Sequence, residues 1–282
     1  MSQAGAGGAD SYGATGPMTG RIHPTLVTSM NRARSFLPLL LLAAAIADAH
    51  AAEPIATDRP DFVESSQTVG ARRTQIETSV AWEKDDDTRT FATPTLLRVG
   101  VSDHWELRLE GDGWLRSAGA GERESGLADV SVGAKYHVAG SGEHGPSLAW
   151  LVHADLPSGD RAFRGHGVRP SVRLVAEWEL PNDYALGVMP GLVRESDDEG
   201  RRYTAGILGV VVGKAWTERF RTFAEVALPQ IARSDDGGTV ALLDLGGAWL
   251  LSDDVQLDVA YSAGLTRRSP DHGVTVGLSA RF

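Results

Sequence analysis

The chain has 282 residues, 42% apolar and 23% charged, with 27 basic against 37 acidic side chains and no cysteine. That length holds one large domain or two small ones, and a net charge of −10 argues against a phosphate-binding surface and hence against nucleic acid as a partner. The lack of cysteine excludes a disulfide framework, a thiolate zinc site and a cysteine nucleophile, and lets the chain cross an oxidising compartment without mispairing.

From Met30 the chain reads MNRARSFLPLLLLAAAIADAHAAEP. Two arginines, Arg32 and Arg34, precede an apolar run from Phe36 to Ile46, and Ala49-His50-Ala51 supplies an A-x-A cleavage pattern. This is the grammar of a secretory signal peptide over 30–52; the run is far short of the roughly 20 residues a spanning helix needs. Residues 1–29 lie upstream of the positive region and read as a non-native extension from an early start codon. The next segment, 53–73, carries TDRPDFVES ahead of the first strand. Asp58, Arg59, Asp61 and Glu64 suit a segment folded into a barrel lumen as a plug; the other reading is a Pro-containing turn at the periplasmic mouth.

After Ala52 no stretch carries a helical period. Short segments of alternating polarity follow one another between Gly, Asp, Ser and Pro clusters, which predicts an all-β chain of about twelve strands. They fall at 74–83, 90–101, 104–115, 127–138, 147–156, 169–180, 183–193, 203–215, 219–228, 239–251, 254–264 and 273–282. A soluble strand usually has about 5 to 6 residues, whereas these approach the roughly 9 to 11 that a tilted strand needs to cross a bilayer. The connections alternate: KDDDTR, RSAGAGERESG, SGDRAFRGHGV, RESDDEGRR, IARSDDGG and TRRSPDHG are long and polar, while the turns after Val101, Leu180, Trp216 and Leu251 are tight. AGSGEHGP breaks the rule, being long where a tight turn is due. Short periplasmic turns opposite longer outer loops are the habit of outer-membrane barrels, and a β-sandwich has no reason to sort its loops this way.

Side-chain parity agrees. Along 104–115, Trp105, Leu107, Leu109 and Leu115 share one face, and Glu106, Arg108, Glu110 and Asp112 the other. A basic side chain on the lipid side at mid-bilayer costs about 2 to 4 kcal/mol, so the polar faces must look into the lumen. That predicts a solute pathway lined by Glu106, Arg108, Glu110, Asp129, Lys135, Arg173, Glu177, Arg221, Glu225 and Asp258, with Glu77, Arg98, Asp155, Glu179, Asp244 and Arg281 on the same faces. Such charges either set solute preference or fill a polar interior as ion pairs. Strand 203–215 is the weak case: ILGVVVGKAW is apolar on both parities, and Lys214 has no clear side. Trp105, Trp178, Tyr184, Trp216, Trp249 and Phe282, with Tyr136 and Phe220, gather at the short-turn rim as a membrane girdle. Trp82, Phe91 and Tyr203 sketch the opposite ring.

The last strand, GVTVGLSARF, would pair with the first and close the sheet, removing both edges. Its alternation ending in Phe282 resembles the signal read by the barrel assembly machinery of bacterial outer membranes. TDRPDFVESSQTV (57–69) followed by QIETSVAWE resembles the start of the family named for the meta-pathway of phenol degradation, a group of outer-membrane transporters. GLADVSVGAKYHV (126–138) resembles that family's Gly-x-x-Asp strand, and LPSGD (156–160) its Leu-Pro-Thr-Gly strand exit, with Ser158 in place of threonine. The resemblance covers 57–282. It implies a channel-like barrel for aromatic or other hydrophobic nutrients, and carries over no functional residue.

The expectation is therefore a transmembrane antiparallel up-and-down β-barrel over 74–282 in the Gram-negative outer membrane. It would be a monomer in contact with lipid and lipopolysaccharide, passing small solutes passively. The alternatives are a barrel enzyme acting on lipids and a soluble periplasmic β-sandwich binding module. For the enzyme, His137, His153 and Asp155 would need Ser131 or Ser147 within hydrogen-bond reach. GSGEHG (140–145) matches a dinucleotide fingerprint by letter only, with no βαβ unit around it. Histidine pairs at metal-ligand spacing are absent, so neither metal nor cofactor is expected.

Overall fold

The computed structural model describes residues 53–119, 121–140, 145–197 and 200–282. The expected upstream extension, 1–29, and signal peptide, 30–52, lie outside the described residues, as do residues 141–144 of the AGSGEHGP connection. Alternating polarity becomes strand throughout: β1 (Thr74–Asp85), β2 (Thr88–Ala92), β3 (Thr95–Gly100), β4 (Trp105–Gly111), β5 (Trp114–Gly119), β6 (Glu122–Leu127), β7 (Val130–Ala139) and β8 (Ser147–Leu156). Then follow β9 (Arg169–Leu180), β10 (Tyr184–Ser196), β11 (Arg202–Thr217), β12 (Phe220–Ile231), β13 (Val240–Ser252), β14 (Val255–Gly264) and β15 (His272–Arg281).

These fifteen segments make twelve barrel strands, because three of the twelve are interrupted. Thr93-Pro94 separates β2 from β3, Asp112-Gly113 separates β4 from β5, and Ala128-Asp129 separates β6 from β7. Pro94 has no amide hydrogen to give to a ladder, and the neighbouring strands break beside it. The Thr93 amide donates to the Asp112 carbonyl at 3.0 Å and the Ala128 amide to that of Gly113 at 2.9 Å. Gly113 has a φ of 63°, and a Cβ there would press into the Thr93 carbonyl. Beyond the break, β2, β5 and β6 continue as a small sheet. Its free edge, β6, is capped by the β8–β9 loop: the Leu127 amide donates to the Asp160 carboxylate at 2.7 Å, and the Asp160 amide to the Leu127 carbonyl at 2.8 Å.

The sheet closes where β1 runs antiparallel to β15, from Gln75 opposite Arg281 to Lys84 opposite His272. Thr74 and Phe282 exchange main-chain hydrogen bonds of 3.1 and 2.8 Å. Closure removes the β-sandwich alternative. Leu107, Leu109, Val132, Val152, Leu192, Val212, Leu245 and Leu278 all stand on the outside, exposed, as only a barrel with hydrocarbon around it tolerates. Trp105 lies against Tyr136 and Phe220 stacks on Trp249, with centroids 4.6 and 4.8 Å apart. Trp82 meets Phe91 edge-on at the other end. Lys214 turns outward into the periplasmic ring, its ammonium 4.8 Å from the Tyr184 centroid and 5.8 Å from that of Trp216, and donates to the Asn182 carbonyl. The stem is covered while the charge reaches the rim.

Candidate functional site

The inward faces do not enclose an empty bore. Ile55, Thr57, Asp58, Val63, Glu64, Ser66 and Val69 are buried, because the segment before β1 runs through the lumen and meets inward side chains of most of the wall. On one side the contact is ionic. Arg98 on β3 grips Glu106 on β4 through both carboxylate oxygens at 2.9 and 3.0 Å, and reaches Glu77 on β1 at 3.0 Å. Asp58 enters this cluster at 2.5 Å from Arg108, 2.9 Å from Lys135 and 3.4 Å from Arg98. Glu64 is held at 2.7 Å by Arg108 and at 2.7 Å by Arg173 on β9. Asp58, Glu64, Glu77 and Glu106 thus face Arg98, Arg108, Lys135 and Arg173, a charge-balanced group of which only Arg173 retains notable exposure.

Burial by itself would raise the carboxyls of the segment. For Asp58 the charges of Arg98, Lys135 and Arg108 outweigh it and hold the group well below the usual carboxylate range. For Glu64, burial and the Asp58 charge oppose Arg108 and Arg173, and the arginines prevail.

Wall carboxylates also collect the segment's main chain. Glu225 on β12 accepts the Phe62 and Val63 amides at 2.7 Å each; Glu177 accepts Ser66 at 2.6 Å, Glu106 accepts Val69 at 3.0 Å and Glu77 accepts Asp58 at 2.9 Å. In return Arg98 donates to the Ala56 and Gln67 carbonyls, Gln75 to Ala56 and Lys135 to Ser65. His137 lies 3.0 Å from the Ser66 carbonyl.

The other side of the seat is apolar. Val63 sits in a buried cluster with Leu151, Val175, Met189, Val211, Phe223 and Ala260, and Phe62 packs against it. A Cβ at Gly187 would lie 2.8 Å from Val211 and 3.0 Å from Val63, and one at Gly209 would press into Val63 and Phe62. The two glycines hollow out the wall where these side chains enter. This accounts for the double-parity apolarity of β11: Val210 and Val212 face lipid, while Ala205, Ile207 and Val211 face the segment.

The predicted lumen residues sort as follows. Glu106, Arg108, Lys135, Arg173, Glu177 and Glu225 hold the segment directly, so these charges converge on it rather than facing one another across open water. Arg221 lies 3.5 Å from Asp61, a looser pair. Asp258 is buried opposite Gly277, where a Cβ would strike its carboxylate, and makes no hydrogen bond to the segment. Glu110 stands 3.7 Å from Arg108. Asp129 secures the β8–β9 loop, accepting the Gly159 and Gly165 amides at 2.8 and 2.9 Å and pairing with Arg169 at 3.1 Å. Arg281 is at the periplasmic rim, on Asp254 and the Glu53 carbonyl, and Glu179 is exposed there. Of the segment's four named charges, Asp58 and Glu64 are deeply tied, Asp61 loosely, and Arg59 has no ion pair among the described residues. His153 Nε2 accepts from Arg108 at 3.1 Å, and no Ser131–His153 hydrogen bond forms. Sequence reasoning missed Gln75, Gln256, Phe62, Val63 and the two glycines; only the odd apolarity of β11 signalled the seat.

The fold recurs in solved structures. An outer membrane channel from Pseudomonas putida F1 aligns with a TM-score of 0.58 at 10% identity, over 77% of this chain and 98% of that one. The NanC porin aligns at 0.52 and 11% identity (73% and 98%), and the KdgM porin, solved with disordered oligogalacturonate, at 0.52 and 10% (74% and 99%). No curated protein sequence matches the chain. With a closed twelve-strand barrel, an apolar outer belt and aromatic rims, this is a protein of the Gram-negative outer membrane. The family model described as "Putative MetA-pathway of phenol degradation" matches residues 57–282, and the chain belongs to that family.

Proposed function

We propose that the protein is an outer-membrane channel for passive movement of small solutes, with residues 57–69 as a lumen plug that must shift for solute to pass. One observation carries the reading. Among the described residues, no main-chain to main-chain hydrogen bond ties residues 57–69 to the wall, so the segment can leave its seat while every barrel ladder stays intact. The likeness to a channel and two porins supports the same role at the level of fold. The finer reading, that the solutes are aromatic or otherwise hydrophobic, rests on the family description. Phe282, exposed at the periplasmic rim, is the proposed contact for the assembly machinery. Outer-leaflet lipid and lipopolysaccharide would meet the outer belt of a single barrel.

Planar-bilayer recording tests the proposal. The wild-type protein is expected to open rarely, and Asp58→Asn, which weakens the grip of Arg98, Arg108 and Lys135, to raise mean conductance several-fold. Heat-modifiable migration on gels would show that the variant is still a barrel. Folded barrels that never conduct, wild type and variant alike, would overturn the channel reading.

A further inference from the structure

On the long-loop side of the segment a cavity of about 440 Å³ remains. Its floor is Arg59 and Phe62 of the segment. One wall is a cross-strand row, Glu110 opposite Ser131 and Ser131 opposite Asp155. Phe163, from the loop that Asp129 secures, supplies a second ring.

Above the ionic cluster, this cavity is lined by side chains of both signs. Arg59, which makes no ion pair among the described residues, and Arg173, whose other contact is Glu64 at 2.7 Å, both line it, as does Ser131. The acids are loosely paired and partly open to water, Glu110 with 21% and Asp155 with 36% of the side chain exposed. Asp112 has no ion pair among the described residues, Glu110 comes no closer than 3.6 Å to His153, and Asp155 lies 3.7 Å from Arg169. Arg169 is already committed to Asp129 at 3.1 Å and Glu195 at 3.4 Å. Cationic and anionic side chains thus face one space, so a solute that carries both charges is favoured over one that carries either. A plain carboxylate would answer the arginines and repel the acids; a plain ammonium would do the reverse.

We infer that this cavity is a binding site for a small zwitterion with an apolar side chain, the chemistry of an aromatic or large aliphatic α-amino acid. Its carboxylate faces Arg59 and Arg173, its ammonium faces Asp112, Glu110 and Asp155, and its apolar group lies between Phe62 and Phe163. The inference rests on the channel reading, since the cavity lies on the outer approach to the plug.

Calorimetric titration of the full-length folded barrel in detergent, with L-phenylalanine, phenylacetate and phenethylamine as probes, is the test. Phenylalanine is expected to bind at least tenfold more tightly than either single-charge analogue. Asp112→Asn should shift preference toward phenylacetate and Arg59→Gln toward phenethylamine. Phenylacetate binding as tightly as phenylalanine, unchanged preference in both charge variants, or no binding would each overturn the zwitterion site. Bilayer recording on the same preparation separates the two readings: binding without conductance removes the channel alone, and conductance without binding removes the site alone.

Discussion

The two sides of the lumen hold the same segment by opposite means. Toward β1, β3, β4 and β7 the seat is built of full charges in bidentate and shared contacts, so position is fixed by direction and distance. Toward β10, β11 and β12 it is built of Met189, Val211 and Phe223 with two missing side chains at Gly187 and Gly209, so that, beside the two amides Glu225 accepts, position is fixed by shape. Losing one member of the ionic side strands its partners in a dry place, whereas the apolar side fails only by the area lost or the volume added. The charged side should therefore break sharply and the apolar side gradually.

Asp58→Ala gives the largest expected effect. It leaves Arg98, Arg108 and Lys135 crowded together with one carboxylate fewer, and breaking such a buried group costs about 3 to 5 kcal/mol. Hydrogen exchange at the Ser66 and Val69 amides should then accelerate by about a hundredfold or more, while Phe62 and Val63, held by Glu225 and the apolar cluster, keep more protection. Equal acceleration at all four would show the two sides to be one cooperative unit. Gly209→Val comes next. Its added carbons meet Val63 and Phe62, an overpacking that costs about 1 to 3 kcal/mol. The expected signature is the mirror image: faster exchange at Phe62 and Val63, with Ser66 and Val69 nearly unchanged.

The outer half of this design was legible because lipid imposes a strict rule. Every second residue of Trp105 to Leu109 must be apolar, and the same constraint repeats in every spanning strand, so twelve strands and their facing could be read by parity. The breaks at Thr93-Pro94 and Asp112-Gly113 lay in plain view as a proline and a glycine inside alternating runs. The period carried straight through them, which hid the split. Inside the barrel, the pairing of Asp58 with Lys135 spans 77 positions and that of Gln256 with Thr57 spans 199. No local pattern encodes such partners, so inward charge was readable but its target was not. Residues Ala205 to Val211 showed the reverse: a strand apolar on both faces looks like a failed membrane pattern until a second apolar surface, Phe62 and Val63, is placed against it.

The smallest expected effect is a null response to mild acid, and it bears on the charged side alone. The Asp58 and Glu64 carboxyls lie below their ordinary values of 3.8 and 4.5. A depressed carboxyl contributes stability above its unfolded value and loses it as pH falls through the folded one. The contacts of Asp58 and Glu64 should therefore be complete at pH 7, undiminished at pH 5 and weakened only below the ordinary carboxylate range. Exchange at Ser66 and Val69, corrected for its intrinsic pH dependence, should keep the same protection between those two values. If protection fell by pH 5, the arginines and Lys135 would not be prevailing over burial, and the segment would be held chiefly by its apolar half.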